Sequence, residues 1–249
     1  MSEKINLNSK VAYYLQMKEI LQAKIERGDY KPGDRLPSEV EFCRMYNVSR
    51  SVVRQTLMEL EYEGLIIKQR PKGTFVAEPK MILAINYLRG GFGESLTRQG
   101  LNVDNRVLTN EVLLASNRLA SNFNNVEVGE ELIHVERVRY VNGSPLVLSN
   151  TYIPLNLCPR LKEADFSQSI FGALKELGGI EMERGEINFE AVGATEKESE
   201  IFNLPVGTPM LLHRAKTFDQ QNNQIEYALS VFRGDQSRVE GVINRENKV

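Results

Sequence analysis

Arg50 and Arg54 stand four residues apart, and Arg70, Lys72 and Gly73 gather shortly after them. Cations at i and i+4 of a helix project from one side. The major groove of duplex DNA admits one α-helix, so guanidiniums placed there can reach base edges and phosphates. A hairpin tip with two cations and a residue lacking a side chain can come close to the neighbouring minor groove. Taken singly, Arg50 and Arg54 fit a solvated helix face equally well, and the hairpin fits an ordinary edge. Together they describe a surface for duplex DNA. A second pair, Arg137 and Arg139, is separated by one residue. On a strand that spacing aims both guanidiniums from one sheet face, a forked donor array for a carboxylate or phosphate. The spacing alone also fits a solvent-facing strand with paired surface charges.

The elements that must position the first set are legible nearby. Ser38 followed by Glu41 predicts a capping box and a helix start, with the helix running through Phe42 and Arg44 to a turn at Tyr46-Asn47. Ser49 supplies a second N-cap acceptor, and Ser49 and Ser51 would position the helix that follows. Along it Val53, Leu57 and Leu60 form the buried stripe, leaving Arg50, Ser51, Arg54 and Gln55 largely elsewhere. Gly64 ends it. The β-rich runs 65–69 and 74–77, joined by Arg70-Pro71-Lys72-Gly73, read as a wing. Ahead of this unit, Ser9 to Arg27 predicts an amphipathic helix, and 28–37, with Pro32, Gly33 and Pro37, a turn-rich connector.

The whole chain has 249 residues, 41% of them hydrophobic, enough for two cores. Domain expectations are a winged helix-turn-helix at 1–78, a linker at 79–89 with a hinge near 78–85, and a second domain at 90–249. The net charge of −2 argues against indiscriminate nucleic-acid binding, but from Arg44 to Ala77 six cations face three acids. A local balance of +3 on a remainder of −5 orients a protein on DNA and suppresses sticking elsewhere. No apolar run of membrane-spanning length occurs and the N-terminus lacks a signal peptide's apolar core, so the expected place is the cytoplasm, with no membrane partner. Cys43 and Cys158 are isolated and read as ordinary thiols. No metal or cofactor is expected. His134 and His213 stand alone on predicted strands without a nucleophile motif, and no P-loop, G-x-S-x-G or H-E-x-x-H string is present.

After a Gly90-Gly91-Phe92-Gly93 loop, the second domain alternates β-branched runs with short helices. Strands are predicted at 105–115, 132–140, 145–153, 187–194, 210–218 and 224–232, the second and third paired across Asn142-Gly143. Helices are predicted at 169–177, closed by Gly178-Gly179, and from the cap Thr195 to Leu204, with Glu198 completing a capping box. The fold class is therefore α+β: a winged helix-turn-helix and a mainly antiparallel sheet domain with helices.

Two groups of strings carry a resemblance. YKPGDRLPSEVEFCRMYNVSRSVVRQTLMELEYEGLI followed by GTFV resembles the DNA-binding half of the GntR family of bacterial regulators. GESLTRQGL, ERVRYVNGSPLVLSNTYIP, SIFGAL, EIFNLPVGTP and EYALSVFRGD resemble the UTRA domain, whose fold is chorismate-lyase-like. Together they are similar to HutC-type regulators. The resemblance implies DNA contacts from Arg50 and Arg54 and minor-groove contact around Gly73. Where the family commonly has a phosphate-holding arginine this chain has Val40, with Arg35 and Arg44 near enough to substitute. It implies an effector pocket using Arg137, Arg139, Glu226, Ser169, Phe171, Phe232, Arg233, and the loop around Phe92 and Gly93. Sugar-phosphate sensors of this type tend to have tyrosine at Phe171 and Phe232, a hydroxyl near Gly93 and an acid at Ser149. The implied partners are a palindromic double-stranded operator, a second copy of the chain, and a small anionic effector of the sugar-phosphate class. The implied function is repression relieved by that effector. The alternative from another class is lyase-type chemistry in the second domain by Arg137 or Arg139 with Glu226.

Overall fold

A computed structural model describes residues 4–69, 71–78, 80–84, 93, 96–97 and 100–241. The chain divides into two compact units, Met1–Pro79 and Lys80–Val249.

In the first unit, α1 (Tyr13–Glu26), α2 (Glu39–Tyr46) and α3 (Arg50–Tyr62) precede the antiparallel strands β1 (Ile66–Gln69) and β2 (Gly73–Val76). Ser38 caps α2 in a full capping box with Glu41, and Asn47 takes the left-handed conformation that turns the chain toward the Ser49 cap of α3. Met17 and Leu21 of α1, Phe42 of α2, and Val53, Leu57 and Leu60 of α3 close one core with Ile66 and Val76 of the wing. Helix α1 begins later than Ser9. The Gln16 amide donates to Val11 O at 2.7 Å and its carbonyl accepts from Asn6 N at 2.9 Å, so residues 6–11 fold back over the first turn instead of extending it.

The second unit is built on a six-stranded antiparallel sheet, ordered β4 (Val103–Leu114), β5 (Glu131–Val141), β6 (Ser144–Pro154), β9 (Gln224–Arg233), β8 (Pro209–Phe218), β7 (Arg184–Gly193). Asn142 and Gly143 join β5 to β6 with φ of 49° and 79°, the pair of positive values that a twist-matched two-residue turn demands. Helices α4 (Asn117–Ala120), α5 (Ile170–Gly178) and α6 (Glu196–Phe202) and a 3-10 turn at Pro159–Glu163 complete it. Met81–Ala84, read from sequence as linker, is strand β3, paired parallel to β10 (Ser237–Glu240). Four-residue strands so far apart in sequence leave no local pattern to detect.

Alternation and register assign the two faces. Opposite residues of antiparallel strands share a face, so Arg137, Ser149, Ser230 and His213, partnered in turn across β5, β6, β9 and β8, form one transverse row. On one side of that row Ile133, Val135 and Ile153 pack under α5 and the 3-10 turn through Ile170, Leu174 and Leu161. On the other, Val141, Val147 and Phe232 pack with Leu83 and Leu96. The opposite face holds α6, with Phe202 against Val138, Leu148 and Met210. A polar belt thus crosses one face between two apolar clusters.

Candidate functional sites on the two units

The first unit presents its cations in solvent. Arg50 is exposed at the start of α3, and Arg44 and Lys72 are exposed on α2 and the wing. Ser49 and Ser51 face the same end, their hydroxyls 2.8 Å apart, with Ser49 also accepting from Val52 N. The Ser38 hydroxyl donates to Glu41 Oε2 at 2.7 Å, so its role is to hold the start of α2. Arg70 lies outside the described residues. Gly73 has φ of +126°, and a Cβ there would stand 3.0 Å from Arg35 Nε. The missing side chain therefore makes room for the Arg35 guanidinium, whereas the sequence reading attributed it to close approach of the backbone to a groove. Leu36 N donates to Thr74 O and Arg35 bridges to Phe75, which carry Arg35 onto the wing. Arg54 Nε donates to Glu39 Oε2 at 2.9 Å, a partner the sequence did not suggest, because the two come from different helices.

The second unit buries two charged side chains on one sheet face, Arg137 and Glu226. Arg137 is only 6% exposed, and so the solvent-facing alternative for this strand is excluded. Its Nη1 donates to Phe166 O and Gln168 O, both at 3.1 Å, on the segment leading into α5. Its Nε is buried without a partner among the described residues. Glu226, 7% exposed, accepts from Thr217 Oγ1 at 2.7 Å. Burial pushes its carboxyl above the usual range, opposed by the Thr217 hydrogen bond and by the fields of Arg137 and Arg139. Burial likewise lowers the Arg137 value while Glu226 raises it. Arg139 Nε donates to Asn105 Oδ1 at 3.0 Å, the register partner on β4.

Arg137, Arg139, Ser149, Glu226 and Phe232 thus share one face, and a Cβ on Gly93 would lie 3.5 Å from Arg139 Nη2, which places that loop residue against the same guanidinium. Ser169 caps α5, its hydroxyl accepting from Gly172 N at 3.1 Å, and Phe171 is half-buried against the cluster beneath that helix. Phe92 lies outside the described residues. Arg233 is not brought to the site. It follows Phe232 on β9, so alternation turns it to the other face, and its Nε and Nη2 donate to Asp235, at 3.1 and 2.7 Å. Register across β8 and β9 adds Thr217, Ser230 and His213 to this face, the first two not singled out in the sequence and the last read there as an isolated strand histidine. His213, 6% exposed, lies 4.8 Å from the Phe189 ring, and burial lowers its pKa to about 4, so it is neutral at physiological pH. His134 is a packed histidine on the far face, bonded to Glu111 and Asn150 and stacked on Tyr152. Among the described residues no group of His, Cys, Asp or Glu is placed to hold a metal ion, and no helix is long and apolar enough to cross a membrane.

A winged reading head joined to a sheet with a buried cationic site defines a ligand-responsive DNA-binding regulator. Residues 13–76 match the family model for bacterial regulatory proteins of the gntR family, and residues 98–238 match the UTRA domain. The chain belongs to the GntR family, in its UTRA-containing, HutC-type branch. It is 32% identical over 232 residues to the HTH-type transcriptional repressor NagR of Bacillus subtilis (strain 168), covering 93% of this chain and 94% of the relative. The mannosyl-D-glycerate transport/metabolism system repressor MngR of Escherichia coli (strain K12) is 27% identical over 234 residues, 94% of this chain and 97% of that protein. The solved structure of PhnF from Mycobacterium smegmatis superposes with a TM-score of 0.66 at 26% identity, covering 94% of this chain and all of that one. The chain is a transcriptional regulator.

Proposed function

We propose that this chain is a cytoplasmic repressor that binds a palindromic operator as a homodimer and is released by a small anionic metabolite of the sugar-phosphate class. The reading is carried by Arg137: a guanidinium nine-tenths buried, with Nε unpartnered among the described residues and a hydrogen-bonded carboxyl group on the same face. Leaving a buried charged donor unmet is costly, and an anion completing that guanidinium removes the cost. Arg139 supplies the second fork, Ser169 the helix N-terminus beside it, and Ser149, Phe171, Phe232 and Gly93 the remaining surround. With phenylalanine in place of hydroxylated rings, the surround has apolar walls and few acceptors, which suits an anion with fewer hydroxyl groups. That one relative represses mannosyl-D-glycerate transport and metabolism supports a sugar-related ligand.

On the DNA side, Arg50 and Arg54 are assigned to bases and phosphates, Arg44, Ser49 and Ser51 to the backbone, and Arg35 with Lys72 to the groove beside the wing. Effector binding orders the pocket strands and lowers operator affinity five- to 150-fold, the range given by couplings of about 1 to 3 kcal/mol. The test combines footprinting with a thermal-shift screen of phosphorylated sugars, amino-sugar phosphates and small carboxylates. Arg54→Ala is expected to lose about 1 to 3 kcal/mol of operator affinity with effector binding intact. An inverted repeat protected equally with and without every stabilising anion would overturn effector release.

A further inference from the structure

Glu39 is the first residue of α2 and Arg54 sits in the second turn of α3. Their bond, Nε to Oε2 at 2.9 Å, crosses the turn between the two helices. The Arg54 side chain remains 68% exposed, so the pair adds little to folding. The core that Phe42 shares with Val53 and Leu57 holds the helices together without it. Orientation is what the bond supplies. A guanidinium has five donors in one plane, and with Nε spent on Glu39 the Nη1 and Nη2 groups make no bond among the described residues. Those two nitrogens form the end-on fork that matches O6 and N7 of guanine. An arginine already held in place also loses less side-chain freedom on binding. Glu39 stands at the capped start of its helix, where the helix N-terminus favours an anion.

We propose that Glu39 is a positioning residue for DNA reading, holding Arg54 with its terminal fork toward a base pair and thereby raising sequence discrimination rather than affinity. The proposal rests on the assignment of Arg54 as a base reader. An acid beside the duplex repels phosphates everywhere, so its removal strengthens indiscriminate binding while freeing Arg54 to bond phosphates in other rotamers. These opposite signs separate positioning from a structural role.

The experiment selects bound duplexes from a random library with the full chain, then measures wild type, Glu39→Gln, Arg54→Ala and the double variant at one salt concentration. Each is tested on the selected duplex, its single-base-pair variants and an unrelated duplex. Glu39→Gln is expected to lose roughly tenfold in discrimination at one base pair, the pair whose discrimination Arg54→Ala abolishes, while the unrelated duplex binds at least as tightly as before. The double variant should discriminate no worse than Arg54→Ala. Full discrimination in Glu39→Gln overturns the proposal, as does a parallel loss on all duplexes with a lowered Tm. If wild type selects no sequence, or Arg54→Ala discriminates as well as wild type, the base-reading assignment itself falls and the proposal with it.

Discussion

Arg54 and Arg137 carry the same group under opposite conditions. Arg54 stands in solvent with one carboxylate beside it, whereas Arg137 is enclosed, held by two carbonyls of the segment before α5 and sharing a face with Glu226. Water screens the first, so its charge costs little to display and meets a polyanion by exchanging counterions. Low polarizability around the second makes every unmade bond expensive. The difference teaches how to read an arginine: exposure marks a surface able to meet DNA, while a buried Nε without a partner among the described residues is what motivates the proposed anion site.

The largest test of that contrast is Arg137→Ala. It strips two carbonyls of their donor and leaves only the Arg139 field and the Thr217 hydrogen bond to offset the burial of Glu226, which is expected to cost the second unit about 3 to 5 kcal/mol. Denaturant unfolding followed by a probe in that unit checks it, and a loss no larger than that of Arg54→Ala would erase the distinction. Next is pH. His213 is held down to about 4 from 6.5 by burial. A lowered folded value means that its contribution is complete above about pH 6.5 and lost as pH falls toward 4, a swing of about 3 kcal/mol. His213→Gln should flatten that part of the stability profile, and urea midpoints of the two proteins at each pH would show it. Glu226 runs the other way, since its raised value makes its contribution complete at low pH and lost as pH rises through the folded value. The smallest expected effect is on the wing. Gly73→Ala places a Cβ 3.0 Å from Arg35 Nε at a φ of +126°, costing about 1 kcal/mol of stability in the first unit and weakening operator binding without touching the effector.

Much of the reading head was legible because its signals are local. Ser38 with Glu41, Asn47, Ser49 and Gly64 act within a turn or two of chain, so the elements fall where their caps put them. The same holds for Asn142-Gly143 and for Thr195 with Glu198. The Arg137 face of the second unit was half legible. Alternation puts Arg137 and Arg139 on one side of β5, but whether that side is buried depends on α5, the 3-10 turn and the β3–β10 pair, none of them encoded near β5. Arg233 shows the limit from the other direction, since it lies in a matching motif yet turns to the opposite face beside Asp235.

By itself the sequence determined the capped helix starts at Ser38, Ser49 and Thr195, the Asn142-Gly143 turn and the spacing of the cations, because capping, turn conformation and side-chain period are short-range properties of the chain. Only tertiary structure decided that Arg137 is enclosed, that His213 and Thr217 join its face, that Glu39 holds Arg54, and that Arg35 occupies the space left by Gly73. Those outcomes depend on register between strands and on contacts across turns, where residues distant in sequence settle how much water each charge keeps.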